Sequence, residues 1–366
     1  MLTKILQKIF EVAHAIQSSR KTHGVSRLKS LVLIIYARFR YGIGPKSFSL
    51  FSLIEVPVSE WPNFSSDTVI ESLLLVVNPR AERKIVSNKL NFYEHCLQQD
   101  LPIVPILYVN DSFSHAGRAV RIGSIAAAVK ACKGPYFVKS LGGAHGKNAF
   151  SLEGGNDRWS YRGGVGSLTD LSEYCDSIFG GDGGWVLQPK IVSHRDLHQI
   201  SSDKALSTLR VVTCLVESKA HILYAVLKIA NGKAAVDNFA GGENGNMLAP
   251  INVESGVLGP ARGSARQDWP EIGKIFVHPA TGVRIEGMVV PFWEEVRLLM
   301  ARAQESLPQL PSLGWDVAVT DDGPLIIEAN SNYSGDLLQI AFGRGMKAEL
   351  PKVLCTVVSA RNRGSV

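Results

Sequence analysis

Near the N-terminus the apolar residues Leu2, Ile5, Leu6, Ile9, Phe10, Ala13 and Ile16 recur at helical spacing, which predicts an amphipathic helix. The next apolar run, LVLIIYARF at 31–39, is too short to cross a bilayer. Residues 47–68 are rich in Ser, Pro and Phe and read as an irregular connector. SLLLVVN (72–78) is a continuous apolar run, as expected of a buried strand. A helical stretch follows with Leu90, Phe92 and Cys96 on one face, and VPILYV (104–109) reads as a second buried strand. Strand, helix and strand predict a small α/β unit across 70–125.

From residue 126 the texture changes. A short helix closes at AAVKACKG, PYFVKS (135–140) reads as a strand, and LGGAHGKNAF forms a glycine-rich turn. GWVLQPKI (184–191) is again strand-like. STLRVVTCLV (207–216) and HILYAVLKIA (221–230) are two β-rich runs a hairpin apart. PFWEEVRLLMARAQESL (291–307) predicts a helix with Pro291 near its start and Phe292, Val296, Leu299 and Ala303 as its apolar stripe. The last signal is GWDVAVTDDGPLIIEAN (314–330), two strands about Asp321-Asp322-Gly323. With a three-residue connection Thr320 faces Pro324, and counting outward Asp316 faces Glu328. Side chains alternate along strands, so Val317, Val319, Leu325 and Ile327 are expected in the core and Asp316, Glu328 and Asn330 on the opposite face.

Composition adds little to this picture, and charge adds more. Apolar residues are 45% and charged residues 20% of the 366, ordinary globular usage with room for more than one core. The five cysteines are scattered, with no CxxC, which argues against a disulfide framework or a zinc site and suits a reducing cytoplasm. Residues 1–47 hold nine Lys/Arg against the single acid Glu11, a charge of +8 where the whole chain is +6, so the remainder is about −2. The basic character belongs to the N-terminal arm, and nucleic acid is not an expected partner of the body. Lys4, Lys8 and Glu11 interrupt any secretion signal. Two readings of the arm stay open: docking on an anionic membrane or a partner surface, or, more plainly, a helical arm packed on the body with its lysines in solvent.

The candidate chemistry lies at the end of the last hairpin. Asp316, Glu328 and Asn330 bring three oxygen-bearing side chains together, and two carboxylates alone would repel. A hard cation such as Mg²⁺ removes that penalty and completes its shell with water and phosphate oxygens. The plain alternative is an amphipathic hairpin with its acids in solvent. Lys139 ends a strand, and Gly142, Gly143 and Gly146 follow at once, which lets backbone N–H groups approach a phosphate. This is not a P-loop, since three residues separate Gly142 from Gly146 and Asn148 stands where Ser or Thr is required; a hairpin turn explains the loop equally well. Arg210 and Lys228 are basic residues in apolar strands, to be explained by a triphosphate or by an ion pair. Asn238, in VDNFAGG, is a further candidate contact or a turn residue.

Taken in order, strand-Lys, glycine-rich loop, VLQPKI, TLRVVT, VDNF, HPATG, GWDVAV and IIEAN resemble the ATP-grasp superfamily, and most closely its sugar-transfer-associated family, across roughly 70–345. The resemblance implies an α+β protein: two α+β lobes gripping ATP, preceded by a small α/β domain and a helical N-terminal arm. The implied domains are a basic helical arm (1–47), the α/β domain (48–125), a small lobe (126–193) and a large lobe (194–366). Residue by residue, it implies that Lys139, Gly142, Gly143 and Gly146 cover the phosphates and that Gln188 and Lys190 line the adenine site. Arg210, Lys228 and Asn238 would face the γ-phosphate and acceptor, and Asp316, Glu328 and Asn330 would hold Mg²⁺. Many relatives follow the asparagine with Pro-Gly, where this chain has Ser331-Asn332, so the acceptor stays open.

The implied activity is an ADP-forming ligase that activates a small-molecule carboxylate as an acyl phosphate and joins it to an amine or similar nucleophile, in polysaccharide or secondary-metabolite biosynthesis. A kinase acting on a small acceptor and a non-catalytic membrane-associated adaptor are the alternatives. ATP and Mg²⁺ are the expected cofactors, the cytoplasm the expected compartment, and a homodimer a superfamily expectation.

Overall fold

The computed structural model describes residues 2–65, 67–111, 120–121, 124–131, 134–141, 148–155, 158–162, 164–179, 184–201, 205–231, 237–264, 269–350, 352 and 354. The chain opens with helices α1 (Leu2–His23), α2 (Arg27–Tyr41) and α3 (Pro45–Leu50), then α4 (Asp67–Val77), α5 (Lys84–Ser87) and α6 (Lys89–Gln98). Strands β1 (Tyr108–Asp111) and β2 (Val120–Arg121) precede α7 (Ile125–Ala131). Next come β3 (Tyr136–Ser140), β4 (Ala149–Gly155), β5 (Arg158–Tyr161), β6 (Gly164–Gly166), α8 (Leu168–Phe179), β7 (Gly184–Pro189) and α9 (Arg195–His198). The C-terminal half holds β8 (Thr208–Val216), β9 (Lys219–Ile229), β10 (Met247–Ile251), β11 (Ala261–Ser264), β12 (Ile272–Ile275), α10 (Trp293–Glu305), β13 (Ser312–Thr320), β14 (Gly323–Asn330) and α11 (Gly335–Phe342).

The strands make two sheets, ordered β2-β1-β7-β3-β4-β5-β6 and β12-β11-β10-β9-β8-β13-β14, paired antiparallel except for β1 with β2. In the second sheet one face packs on α10, through Leu209, Val211, Leu227, Trp315, Val317 and Val319 against Val296, Leu299 and Met300. The other face packs on the N-terminal helices and α11, through Val212, Tyr224 and Val226. Each sheet with its helices is one α+β lobe. The chain entering β1 ties the sheets together: Val104 N donates to Ile326 O on β14 at 3.0 Å, and Leu107 N to Leu187 O on β7 at 2.9 Å.

Three expectations need correction. Residues 72–78 are not a strand: 72–77 are the end of α4 and Asn78 follows it, because Ile70, Leu74 and Val77 fall on one helical face and are buried while Val69, Leu75 and Val76 are exposed. An unbroken apolar run carries no period to separate the two. Of 104–109 only the last two residues are strand; Pro105 offers no donor to a ladder, and the chain before β1 bonds across to β14 and β7 instead. The connector 47–68 is not loose: Phe48, Phe51, Leu53, Trp61 and Phe64 are buried, with Phe48 edge-on to Trp61. The amphipathic helix expected at the N-terminus is α1; its packed face is Ala15, Ser18 and Ser19, with Leu6, Ile9 and Phe10 of the apolar stripe outward.

The last hairpin departs from its expected turn and still reaches its expected pairing. Thr320 pairs with Gly323, so the connection is the two residues Asp321 and Asp322. An irregularity between Asp316 and Val317 then leaves Ile327 as an extra residue on β14, and beyond it Asp316 faces Glu328 and Gly314 faces Asn330. The bulge corrects the core list too: Val317 and Val319 are buried as expected, but Ile326 and Ala329 take the core places assigned to Leu325 and Ile327.

Candidate functional site

Register places the basic and acidic residues in one row. Lys228 on β9 pairs with Thr208 on β8, Arg210 lies two residues along β8 opposite Asp316 on β13, and Asp316 lies opposite Glu328 on β14. Residues paired across strands point to the same face. This is the face of Val212 and Val226, beyond the area that the N-terminal helices and α11 cover.

Arg210 grips Asp316 with two bonds, Nε to Oδ1 at 2.7 Å and Nη2 to Oδ2 at 3.1 Å. Lys228 Nζ donates to the same Oδ2 at 3.2 Å and lies 3.4 Å from Asp237 Oδ1. Asp237 Oδ2 in turn accepts from the backbone N of Thr208 at 2.9 Å and from its hydroxyl. Asp316, Lys228 and Asp237 are all buried. Burial works against the Asp316 charge, but the Arg210 guanidinium and the Lys228 ammonium outweigh it and hold the carboxyl well below the usual range. Burial also opposes the Lys228 charge, and Asp237 and Asp316 overcome it, so that ammonium is held above its ordinary value. At Asp237 burial wins over Lys228 and the carboxyl is raised.

Lys139, on the other sheet, joins this row through space. Burial pushes its ammonium down to about 8, with Glu328 and Asp316 pulling upward and Lys89 pressing further down. The two lobes therefore meet where four cations, Lys89, Lys139, Arg210 and Lys228, stand against the three carboxylates of Asp237, Asp316 and Glu328. Such an excess of fixed positive charge suits a polyanion.

The other expected residues are placed as follows. Gln188 is buried on β7, and its amide donates to the carbonyls of Val104 (3.1 Å) and Pro105 (3.5 Å) in the crossing segment. Lys190 pairs with Glu153, and its backbone N donates to Pro135 O. Asn330 Nδ2 donates to Glu328 Oε1 at 3.4 Å, and Tyr333, buried three residues on, anchors the following loop through Ser312 Oγ at 2.9 Å. Asn238 stands beside the cluster, its carbonyl held by the amides of Asn244 and Asn246, while its neighbour Asp237 makes the contact with Lys228. Gly142, Gly143 and Gly146 lie outside the described residues. Asp237 and Thr208 went unread in the sequence. The signal for Asp237 was the need of a lysine buried in a strand for more than one anion.

A profile of the sugar-transfer-associated ATP-grasp family matches residues 70–354. The chain belongs to this family. None of the curated protein sequences compared with this ATP-grasp chain matches it. Among solved structures it is similar to a D-alanyl-alanine synthetase from Vibrio cholerae (11% identity, TM-score 0.45, covering 78% of this chain and 68% of that one). It is also similar to a D-alanine–D-alanine ligase from Bacillus anthracis (9%, 0.44, 82% and 78%) and to an L-amino acid ligase from Bacillus licheniformis (13%, 0.39, 75% and 49%). The ATP-grasp chain thus spans about half the length of the last of these.

The family's use of ATP with a divalent cation can be set against the donors present. Glu328 and Asn330 offer half-buried oxygens and Asp316 stands beside them, an all-oxygen set of the kind magnesium takes. Asp316 is committed to Arg210 and Lys228, and among the described residues no three His, Cys, Asp or Glu gather into a metal-holding group. The set fits a cation that draws most of its shell from phosphate and water, with Asp316 joining only as its ion pair loosens.

Proposed function

We propose that this chain is a Mg-ATP-dependent, ADP-forming ligase that activates a small-molecule carboxylate and joins it to an amine or similar nucleophile. The observation that carries the reading is the row Lys228–Arg210–Asp316–Glu328 facing Lys139 across the two lobes. A carboxylate oxygen of the substrate attacks the γ-phosphorus, the bond to ADP breaks, and the nucleophile then expels phosphate from the acyl phosphate. When bound, magnesium supplies neutralisation of phosphate charge. Arg210 and Lys228 are fixed cations for the charge on the transferring group, already oriented by Asp316 and Asp237. Lys139 holds the phosphates from the opposite lobe. Little covalent work falls to the protein in such a transfer; placement and charge carry it.

Incubation with ATP, Mg²⁺ and a panel of amino, sugar and lipid-linked acids should give substrate-dependent ADP release, and added hydroxylamine should trap a hydroxamate. A stable phosphoester in place of hydroxamate would replace this reading with phosphorylation of an acceptor.

The lowered ammonium of Lys139 sets a pH dependence. Its charge is present below about pH 8 and is lost above it. Bound phosphates favour the charged form, so affinity for Mg-ATP is expected to fall as pH rises past 8, by up to about tenfold per unit for one proton. Calorimetric titration from neutral to alkaline pH measures this. Lys139→Arg should flatten the slope, because a guanidinium stays charged throughout.

A further inference from the structure

Helices α1 and α2 pack on the body through mostly small residues, with Ile34, Ile16 and Leu33 beside them, and leave a separate set of large apolar residues outside. In α2, Ser30, Ile34 and Ala37 are buried, while Leu28 (73% exposed), Val32, Ile35, Tyr36 and Phe39 (86%) form an unbroken stripe on the opposite side. Lys29 and Arg40 flank the stripe on one side, and Arg27 and Arg38 on the other, all exposed. In α1 the same division holds: Ala15, Ser18 and Ser19 are buried, and Leu6, Ile9 and Phe10 are outside. No described helix is long and apolar enough to cross a membrane.

We propose that the outer face of α1 and α2 docks on an anionic phospholipid bilayer, lying in the plane of its headgroups. The charge decides the occupant. Residues 1–47 carry +8, against about −2 for the rest of the chain, so the net attraction to an extended negative surface comes from the arm. A second copy of the chain would bring an equal positive charge against it. A nucleic-acid backbone would leave Phe39 and Leu28 in water. A bilayer takes both parts: the aliphatic and aromatic side chains enter the acyl boundary, and the flanking lysine and arginines reach back to the phosphates. Because α1 and α3 also pack on the large-lobe core through Ala15 and Phe48, docking would hold the body against the surface instead of leaving it on a tether.

Flotation of the full chain with vesicles tests this. It should rise with phosphatidylcholine vesicles containing phosphatidylglycerol and bind pure phosphatidylcholine on the order of tenfold more weakly or worse. The pair Ile35→Ser and Phe39→Ser should cut anionic binding on the order of tenfold without lowering the melting temperature, since both side chains are exposed. The pair Arg38→Gln and Arg40→Gln should cost about fivefold per charge, and added salt should mimic it. Three results would overturn the proposal: no flotation with anionic vesicles; unchanged flotation of the serine pair; or, with vesicle binding absent, self-association or capture by an acidic polypeptide that the serine pair abolishes.

Discussion

Asp316→Ala is expected to lower the unfolding free energy by about 3–5 kcal/mol in the absence of nucleotide, read from urea denaturation. The carboxylate accepts three bonds from two cations in a buried setting, and its removal leaves Arg210 and Lys228 with Asp237 and the more distant Glu328 as counter-charges. Salt should not erase the difference, because the pairs are largely shielded from solvent ions. The effect also has a sign in pH. The Asp316 carboxyl is held below its ordinary value, so its contribution is complete above about pH 4 and is lost as pH falls through the folded value. Wild-type stability should therefore decline on acidification with a component that the alanine variant lacks. Equal urea midpoints for the two proteins would remove the ion-pair network from the account of this fold. On the proposed function, the same substitution should also reduce ADP release on the order of 10²–10³-fold.

Arg210→Met separates chemistry from folding. Asp316 keeps Lys228 at 3.2 Å, so the fold should lose less than in Asp316→Ala. Substrate-dependent ADP release should still fall on the order of 10²–10³-fold, expressed in kcat at saturating ATP, since a fixed cation facing the transferring group is missing at the moment charge shifts. Loss of stability with kcat intact would make Arg210 a structural partner of Asp316 and nothing more. Sequence alone offered a triphosphate or an ion pair as reasons for a basic residue in an apolar strand. The structure shows the ion pair, and the kinetics decide whether a nucleotide takes it over.

The strands that carry the row were legible because each shows β-rich composition bounded by turn signals, and β3, β7, β8, β9, β13 and β14 all fall where those signals stand. The pairing of Asp316 with Glu328 was legible only by cancellation. The turn is one residue shorter than the favoured geometry, and the bulge, which has no mark in the sequence, adds one back. Two expectations fail in opposite directions. Residues 72–78 are an unbroken apolar run that suits a buried strand, yet α4 shares its apolar residues between a buried and an exposed face; residues 47–68 carry the turn signals of a connector, yet bury Phe48, Trp61 and Phe64. Asp237 was passed over for Asn238 because a loop has no period to say which neighbour turns inward.

The bulge at Ile327 and the Asp321–Asp322 connection are the two places where the last hairpin can change length without changing its faces. Loss of Ile327 only makes the ladder regular, with Ile326 still opposite Val317 and Glu328 opposite Asp316, and a residue gained at the connection lengthens only the turn. A lone insertion or deletion inside a paired arm, Val317–Thr320 or Gly323–Ile326, instead shifts the ladder by half its two-residue pleat. In homologous chains, length differences should therefore fall at the connection and the bulge and spare the arms between them.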